Sequence, residues 1–201
     1  LLLLDDASLC AGEGNLSVSK TRLSEALALC AVAPPAKGND SNQFNQIFRS
    51  KVVGIVQTWK SKGLSNTDLE RSLQDALNVT GKGALVEDPS IGDYSRNYYA
   101  DYATIPCYLA KLKFEDGDIE SAYKYSKDAL KQCGNVPNYT VLVTSAEIAN
   151  AHKEYAQAAS LYFKSTNTGI INSDPYARQV AQNYALASAV SCAEKATNYD
   201  P

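Results

Sequence analysis

Apolar residues in this chain recur at spacings of three and four almost from end to end, and short runs of glycine, proline and small polar residues interrupt them. That period puts the apolar side chains on one face of a helix, whereas a half-buried strand needs alternation at every second residue. No segment reads as a convincing strand series, so the expectation is an all-α fold. Leu1–Ala11 is apolar and ends near Gly12 and Gly14. In Ser19–Val32, Leu23, Ala26, Leu27 and Cys30 share a face, and Pro34, Pro35 and Gly38 stop the helix. In Gln43–Lys62, Phe44, Ile47, Phe48, Val52, Ile55, Val56 and Trp59 line one side, and Gly63 closes it. Asp68 marks the next entry, where the helix macrodipole favours an acid. Leu69, Leu73, Ala76 and Leu77 follow, with Gly81 and Gly83 at the end.

Residues 82–91, with Pro89 among them, are the longest break. They divide helical pairs in 1–81 from a second helical region in 92–201, unless the two form one continuous array. Beyond the break the pattern predicts helices over Asp93–Lys113, Ile119–Cys133, Tyr139–His152 and Tyr155–Thr166. A last one starts at Asp174-Pro175, where proline suits a first helical turn, and runs towards Lys195.

Two of these pairs share a register. One contains Leu109, Ala110, Gly117, Ile119, Ala122, Ser126 and Ala129. The other contains Leu142, Ala146, Ala149, Tyr155, Ala158, Tyr162 and Ser165. Ala122 and Ala158 lie 36 residues apart. Each is a small residue where two helices must approach closely, with a bulkier residue three before and a small one seven after. This resembles the tetratricopeptide repeat, a helix–turn–helix of about 34 residues. Tyr155, Ala158 and Tyr162 follow the second-helix pattern of that family, while Ser126 replaces the aromatic in the pair around Ala122. The resemblance covers 93–201, with a fainter echo at Leu23, Ala26 and Cys30. The family's Trp-x-x-Leu-Gly-x-x-Tyr signature is absent, and 40–90 fits no copy. The resemblance implies antiparallel helix pairs stacked as a right-handed α-solenoid with a concave, ligand-holding side. It assigns Ala122, Ala129, Tyr155, Ala158 and Tyr162 to packing between helices.

Catalytic chemistry finds little footing. His152, the single histidine, falls at a helix end, where an exposed, non-catalytic place is expected. Gly81-Lys82-Gly83 lacks the length and the following Lys-Ser/Thr of a phosphate loop. Glu115, Asp116, Asp118 and Glu120 read as a solvated turn, with Asp118 capping the next helix. The cysteines Cys10, Cys30, Cys107, Cys133 and Cys192 form no C-x-x-C pair and read as buried structural thiols. The expectation is a protein without catalytic residue, cofactor or metal. A net charge of −3 and no basic run give no basis for nucleic-acid binding. No apolar run reaches membrane-spanning length.

Tyr94, Tyr98 and Tyr102, four apart, share a helix face and form a candidate partner-binding stripe, since tyrosine buries area while keeping a hydroxyl for hydrogen bonds. The resemblance implies a scaffold that binds a partner peptide or helix in its concave groove. A second expectation is a structural subunit that stacks head-to-tail on copies of itself, as an extracellular ring or filament. Leu1, Leu2, Leu3 and Leu4 would provide one apolar end; they also read as the first turn of a buried helix or the tail of a signal segment. A third is a receptor for a small ligand or carbohydrate. Asn15, Asn39, Asn78 and Asn138 head Asn-x-Ser/Thr triplets, candidate glycosylation sites that point to an exported or extracellular protein, with the cytoplasm as the alternative. With no methionine at its first position, the chain is expected to start inside a longer gene product.

Overall fold

The computed structural model describes residues 1–32, 39–80, 103–133, 138–168 and 175–198; side chains are described there except at 39–43. These residues are helical, with no strand among them. In chain order the helices are α1 (Leu2–Gly12), α2 (Leu16–Val32), α3 (Asn39–Ser61), α4 (Asn66–Thr80), α5 (Thr104–Glu115), α6 (Ile119–Cys133), α7 (Tyr139–Ala151), α8 (Tyr155–Thr166) and α9 (Pro175–Asn198). The expected break at 82–91 and the stretch 93–102 lie outside the described residues.

Four of the turns are built alike. In each, one residue takes a positive φ: Gly14 at 82°, Gly63 at 88°, Gly117 at 78° and Lys153 at 70°. The following amide donates to a carbonyl five residues back: Asn15 to Cys10 at 2.8 Å, Leu64 to Trp59 at 3.1 Å, Asp118 to Lys113 at 2.9 Å, and Glu154 to Ala149 at 2.8 Å. This is the Schellman closure, which satisfies carbonyls that a helix end leaves unpaired. Glycine suits the left-handed residue because it has no Cβ to meet the carbonyl that follows. Lys153 occupies that place with a Cβ. Lys153→Gly is expected to stabilise the protein by about 1 kcal/mol, the left-handed penalty exceeding the entropy glycine adds to the unfolded chain. Thermal melting reads this as a rise in Tm of about 2–4 °C; an unchanged or lower Tm contradicts it.

The turns fix a common packing frame. Seven residues before the left-handed position stand Ala7, Val56, Ala110 and Ala146, all fully buried. Five after it stand Ser19, Ala122 and Ala158, also fully buried, and twelve after it Ala26, Ala129 and Ser165. The α3–α4 turn is one residue longer, so Leu69 and Ala76 fill those places at six and thirteen. The 40–80 segment therefore shares the frame of the other pairs, although its spacing in the sequence hides it.

Beyond each pair, the first helices pack on one another: α1 on α3, α3 on α5, and α5 on α7. The largest apolar cluster runs from Leu4 through Leu23, Val52, Trp59, Leu69 and Leu73 to Ile105, Leu109 and Leu112. It thus joins α1–α4 to α5 across the break in the sequence. Smaller clusters carry the interior on, Ala110 with Ala122 and Ile148, then Leu142, Ala146 and Ala149 with Ala158, Tyr162, Ala185 and Cys192.

Among the described residues, one charged side chain is buried in this interior. Arg49 is fully enclosed. Its Nε donates to Thr80 Oγ1 at 2.8 Å and its Nη1 to Gln132 Oε1 at 3.2 Å. A buried guanidinium needs such acceptors, since an unpaired buried charge is severely unfavourable. Its contacts join α3 to the end of α4 and to α6.

Candidate protein-binding groove

The periodic apolar faces of α3, α5 and α7 are spent on packing; what remains on their shared flank is mixed. A groove of about 500 Å³ opens there. Val53 and Gln57 come from α3, Thr104, Tyr108, Lys111 and Phe114 from α5, and Thr140, Val141, Thr144 and Glu147 from α7, with Asn138 at the rim. Cys107 and Glu115 complete the lining, so aromatic and aliphatic side chains stand beside hydroxyls, amides, a thiol, one lysine and two carboxylates. Burial, with Glu115 nearby, pushes the Tyr108 phenol up, so its hydroxyl stays protonated and able to donate. Glu115 is already paired with Lys60, and Glu147 accepts from Tyr184 Oη at 3.0 Å. Lys111 is exposed and has no ion-pair partner among the described residues. An array of this kind can hold an extended or helical chain by area and hydrogen bonds.

Tyr94, Tyr98 and Tyr102 lie outside the described residues, so the expected tyrosine stripe has no structural account. The groove was not visible in the sequence, because Gln57, Lys111 and Thr140 follow no apolar period and become neighbours only when three helices converge.

The other singled-out residues fall elsewhere. Ala122, Ala129 and Ala158 are fully buried. Tyr162 is buried with its ring edge-on to Tyr184 at 6.2 Å, while half-buried Tyr155 lies under the Lys195 ammonium at 5.7 Å. Burial first, then the neighbouring Tyr184, push the Tyr162 phenol up. Leu4 is fully buried and Leu3 partly so, whereas Leu1 and Leu2 are exposed. Asn15 and Asn78 are exposed. Asn138 is half-buried, and its side chain accepts from Val141 N at 2.9 Å as the cap of α7. The side chain of Asn39 is among those not described.

His152 departs from the exposed place expected for it. Its side chain is 21% exposed. The ring stacks on Tyr123 with centroids 4.0 Å apart and planes 10° apart, and Nε2 lies 3.1 Å from Glu120 Oε1. Tyr123 Oη in turn donates to Gln157 Oε1 at 2.8 Å. His152 therefore ties the α7–α8 turn to α6. The neighbouring acids are engaged separately. Asp118 caps α6 through Ser121 N at 3.1 Å, and hydrogen bonding from the Ser121 side chain first, then from its amide, holds the carboxyl below the usual range; Asp116 accepts from Asn66. No group of three or more His, Cys, Asp or Glu among the described residues is placed to hold a metal.

All five cysteines are free thiols. Cys107 and Cys133 are buried in one cluster with Ala103, Ala129 and Val141. Burial pushes Cys107 up to about 11 and Cys133 up to about 12, from an ordinary value of 9.0. A folded-state pKa above the unfolded one gives stability that is complete below pH 9.0 and is lost as the pH climbs through the folded values. Urea unfolding is expected to show stability falling above pH 9 by about 1.4 kcal/mol per pH unit for each thiol. Replacing both with alanine should flatten that slope; an unchanged slope means that other groups set it.

No helix among the described residues is long and apolar enough to cross a membrane. The fold and the groove define a helical assembly with a mixed polar and apolar cleft on one flank. Compared with models of known families, with curated proteins and with solved structures, the chain matches none of them.

Proposed function

We propose that this chain is a non-enzymatic scaffold that binds a peptide or helix of another protein in the α3–α5–α7 groove. The observation that carries the reading is the convergence of three helices from three successive pairs on one open, mixed-polarity groove. Such a surface suits a chain with alternating apolar and polar contacts. The pairs are antiparallel hairpins: Asp6 with Arg22 and Ala7 with Ser19 support this for α1–α2, and Arg49 with Thr80 for α3–α4. Stacked in the manner of a tetratricopeptide array, they form a right-handed solenoid whose first helices line the inner side. The shared frame of small residues around four like turns supports that arrangement. Concave faces of stacked repeats are extended binding surfaces.

Selection of binding peptides from a random display library tests the reading. Lys111→Glu and Thr140→Arg, both at exposed groove positions, should each weaken the selected peptides about tenfold or more, a difference of at least about 1.4 kcal/mol. Asn78→Arg, on an exposed face away from the groove, should leave binding unchanged. Peptides that bind all three variants as tightly as the parent chain would place the binding surface elsewhere and sink the proposal.

A further inference from the structure

The charges in the α3–α5–α7 groove follow an order that the repeated turns bring out. Gln57, Lys111 and Glu147 each stand six places before the left-handed residue of their own turn, at Gly63, Gly117 and Lys153. All three line the groove. One helical place, taken once from each of three neighbouring helices, therefore makes a row across it: an amide, then a cation, then an anion. Gln57 and Lys111 are exposed, and Glu147 is half-buried.

The two charges of the row are not spent inside the molecule. Glu115, the other carboxylate of the groove, is neutralised by Lys60. Lys111 and Glu147 form no ion pair, either with each other or with any other described residue. Glu147 accepts one hydrogen bond, from Tyr184 Oη at 3.0 Å, and a carboxylate has lone pairs for further donors. The Lys111 ammonium has donors of its own. A segment lying in the groove thus meets one positive and one negative charge on neighbouring helices, each with open capacity. Phe114, half-buried on α5, supplies apolar area in the same groove.

Taking the groove as the protein-binding site argued above, we propose that its partner is an extended peptide of mixed charge, with an acidic side chain for Lys111 and a basic one for Glu147, three residues apart. Packed helices lie about 8–10 Å apart. In an extended chain of the polyproline-II kind, residues three apart share a side and are separated by about 9 Å, so that spacing matches the step from α5 to α7. Gln57, at the α3 end of the row, both donates and accepts and sets no charge there. A segment with two acids puts one of them against Glu147, and a segment with two bases puts one against Lys111. Either loses by like-charge repulsion what it gains by attraction. Specificity then lies in the pairing of unlike charges at a fixed spacing and not in net charge.

Binding of the 201-residue chain to pools of short synthetic peptides tests it. Each pool fixes two positions three apart and randomises the rest over uncharged residues. The fixed pairs are Asp with Lys in both orders, Asp with Asp, Lys with Lys, and Ala with Ala. The parent chain should hold the mixed-charge pool about tenfold or more tighter than any other. Lys111→Glu should turn the preference to the Lys–Lys pool, and Glu147→Lys to the Asp–Asp pool. The double exchange Lys111→Glu/Glu147→Lys should restore the preference for mixed charge. Helix content by circular dichroism should be the same in all four chains. Equal binding of the pools by the parent overturns the mixed-charge proposal and leaves the groove a binding site, as does a preference that does not follow the exchanges. A parent chain that holds none of the pools overturns it too. The groove itself then falls only if peptides selected from the random display library also bind Lys111→Glu and Thr140→Arg as tightly as the parent.

Discussion

Trp59→Ala lowers the unfolding free energy by about 4 kcal/mol. Trp59 is among the largest fully buried side chains and sits where three helices meet. Its indole Nε1 donates to Ser19 Oγ at 2.8 Å, and that hydroxyl donates to the Ala7 carbonyl at 2.6 Å, so one side chain links α3 through α2 to α1. Truncation removes the ring's burial, leaves a cavity and deprives Ser19 of its donor. Trp59→Phe keeps most of the burial and loses chiefly the hydrogen bond, so about 1–2 kcal/mol is expected. Urea titration followed by far-ultraviolet circular dichroism reads both, since the only tryptophan is the one replaced. A loss below about 2 kcal/mol in Trp59→Ala would mean that the junction repacks around the gap.

Ala158→Leu has the next largest effect, a loss of about 3 kcal/mol, the upper end for forcing extra methylenes into a packed interior. Ala158 is fully buried in a cluster with Leu142, Ala146 and Leu161, and the facing small residue leaves no room for a branched side chain. The exposed Ala156→Leu on the same helix should change stability by less than about 0.5 kcal/mol. Comparable losses for the two would contradict a close helix approach at Ala158.

The helices were legible in the sequence because packing faces impose the three-and-four period directly on residue types. Gly14, Gly63 and Gly117 were legible as stops for a similar reason, as the left-handed place selects glycine. The fourth turn was legible as the break between Tyr139–His152 and Tyr155–Thr166, but its left-handed residue, Lys153, was not, since a lysine carries no such signal. One extra residue after Gly63 hid the kinship of 40–80 with the other pairs. The Tyr123–His152 stack was invisible because it joins side chains from separate helices. The groove was invisible because polar wall residues obey no periodicity.

The short turns also bear on how the chain reaches its fold. Among the described helices, every substantial contact lies with the next helix or the next but one, and the Arg49–Gln132 hydrogen bond, at 83 residues, is among the longest sequence separations bridged. Loop closure over three or four residues takes little entropy, and chains rich in local contacts fold fast. In the stacked arrangement proposed above, nucleation can begin at any of the four helix–turn–helix units and spread to its neighbours, so that damage at one end would leave the far end able to form.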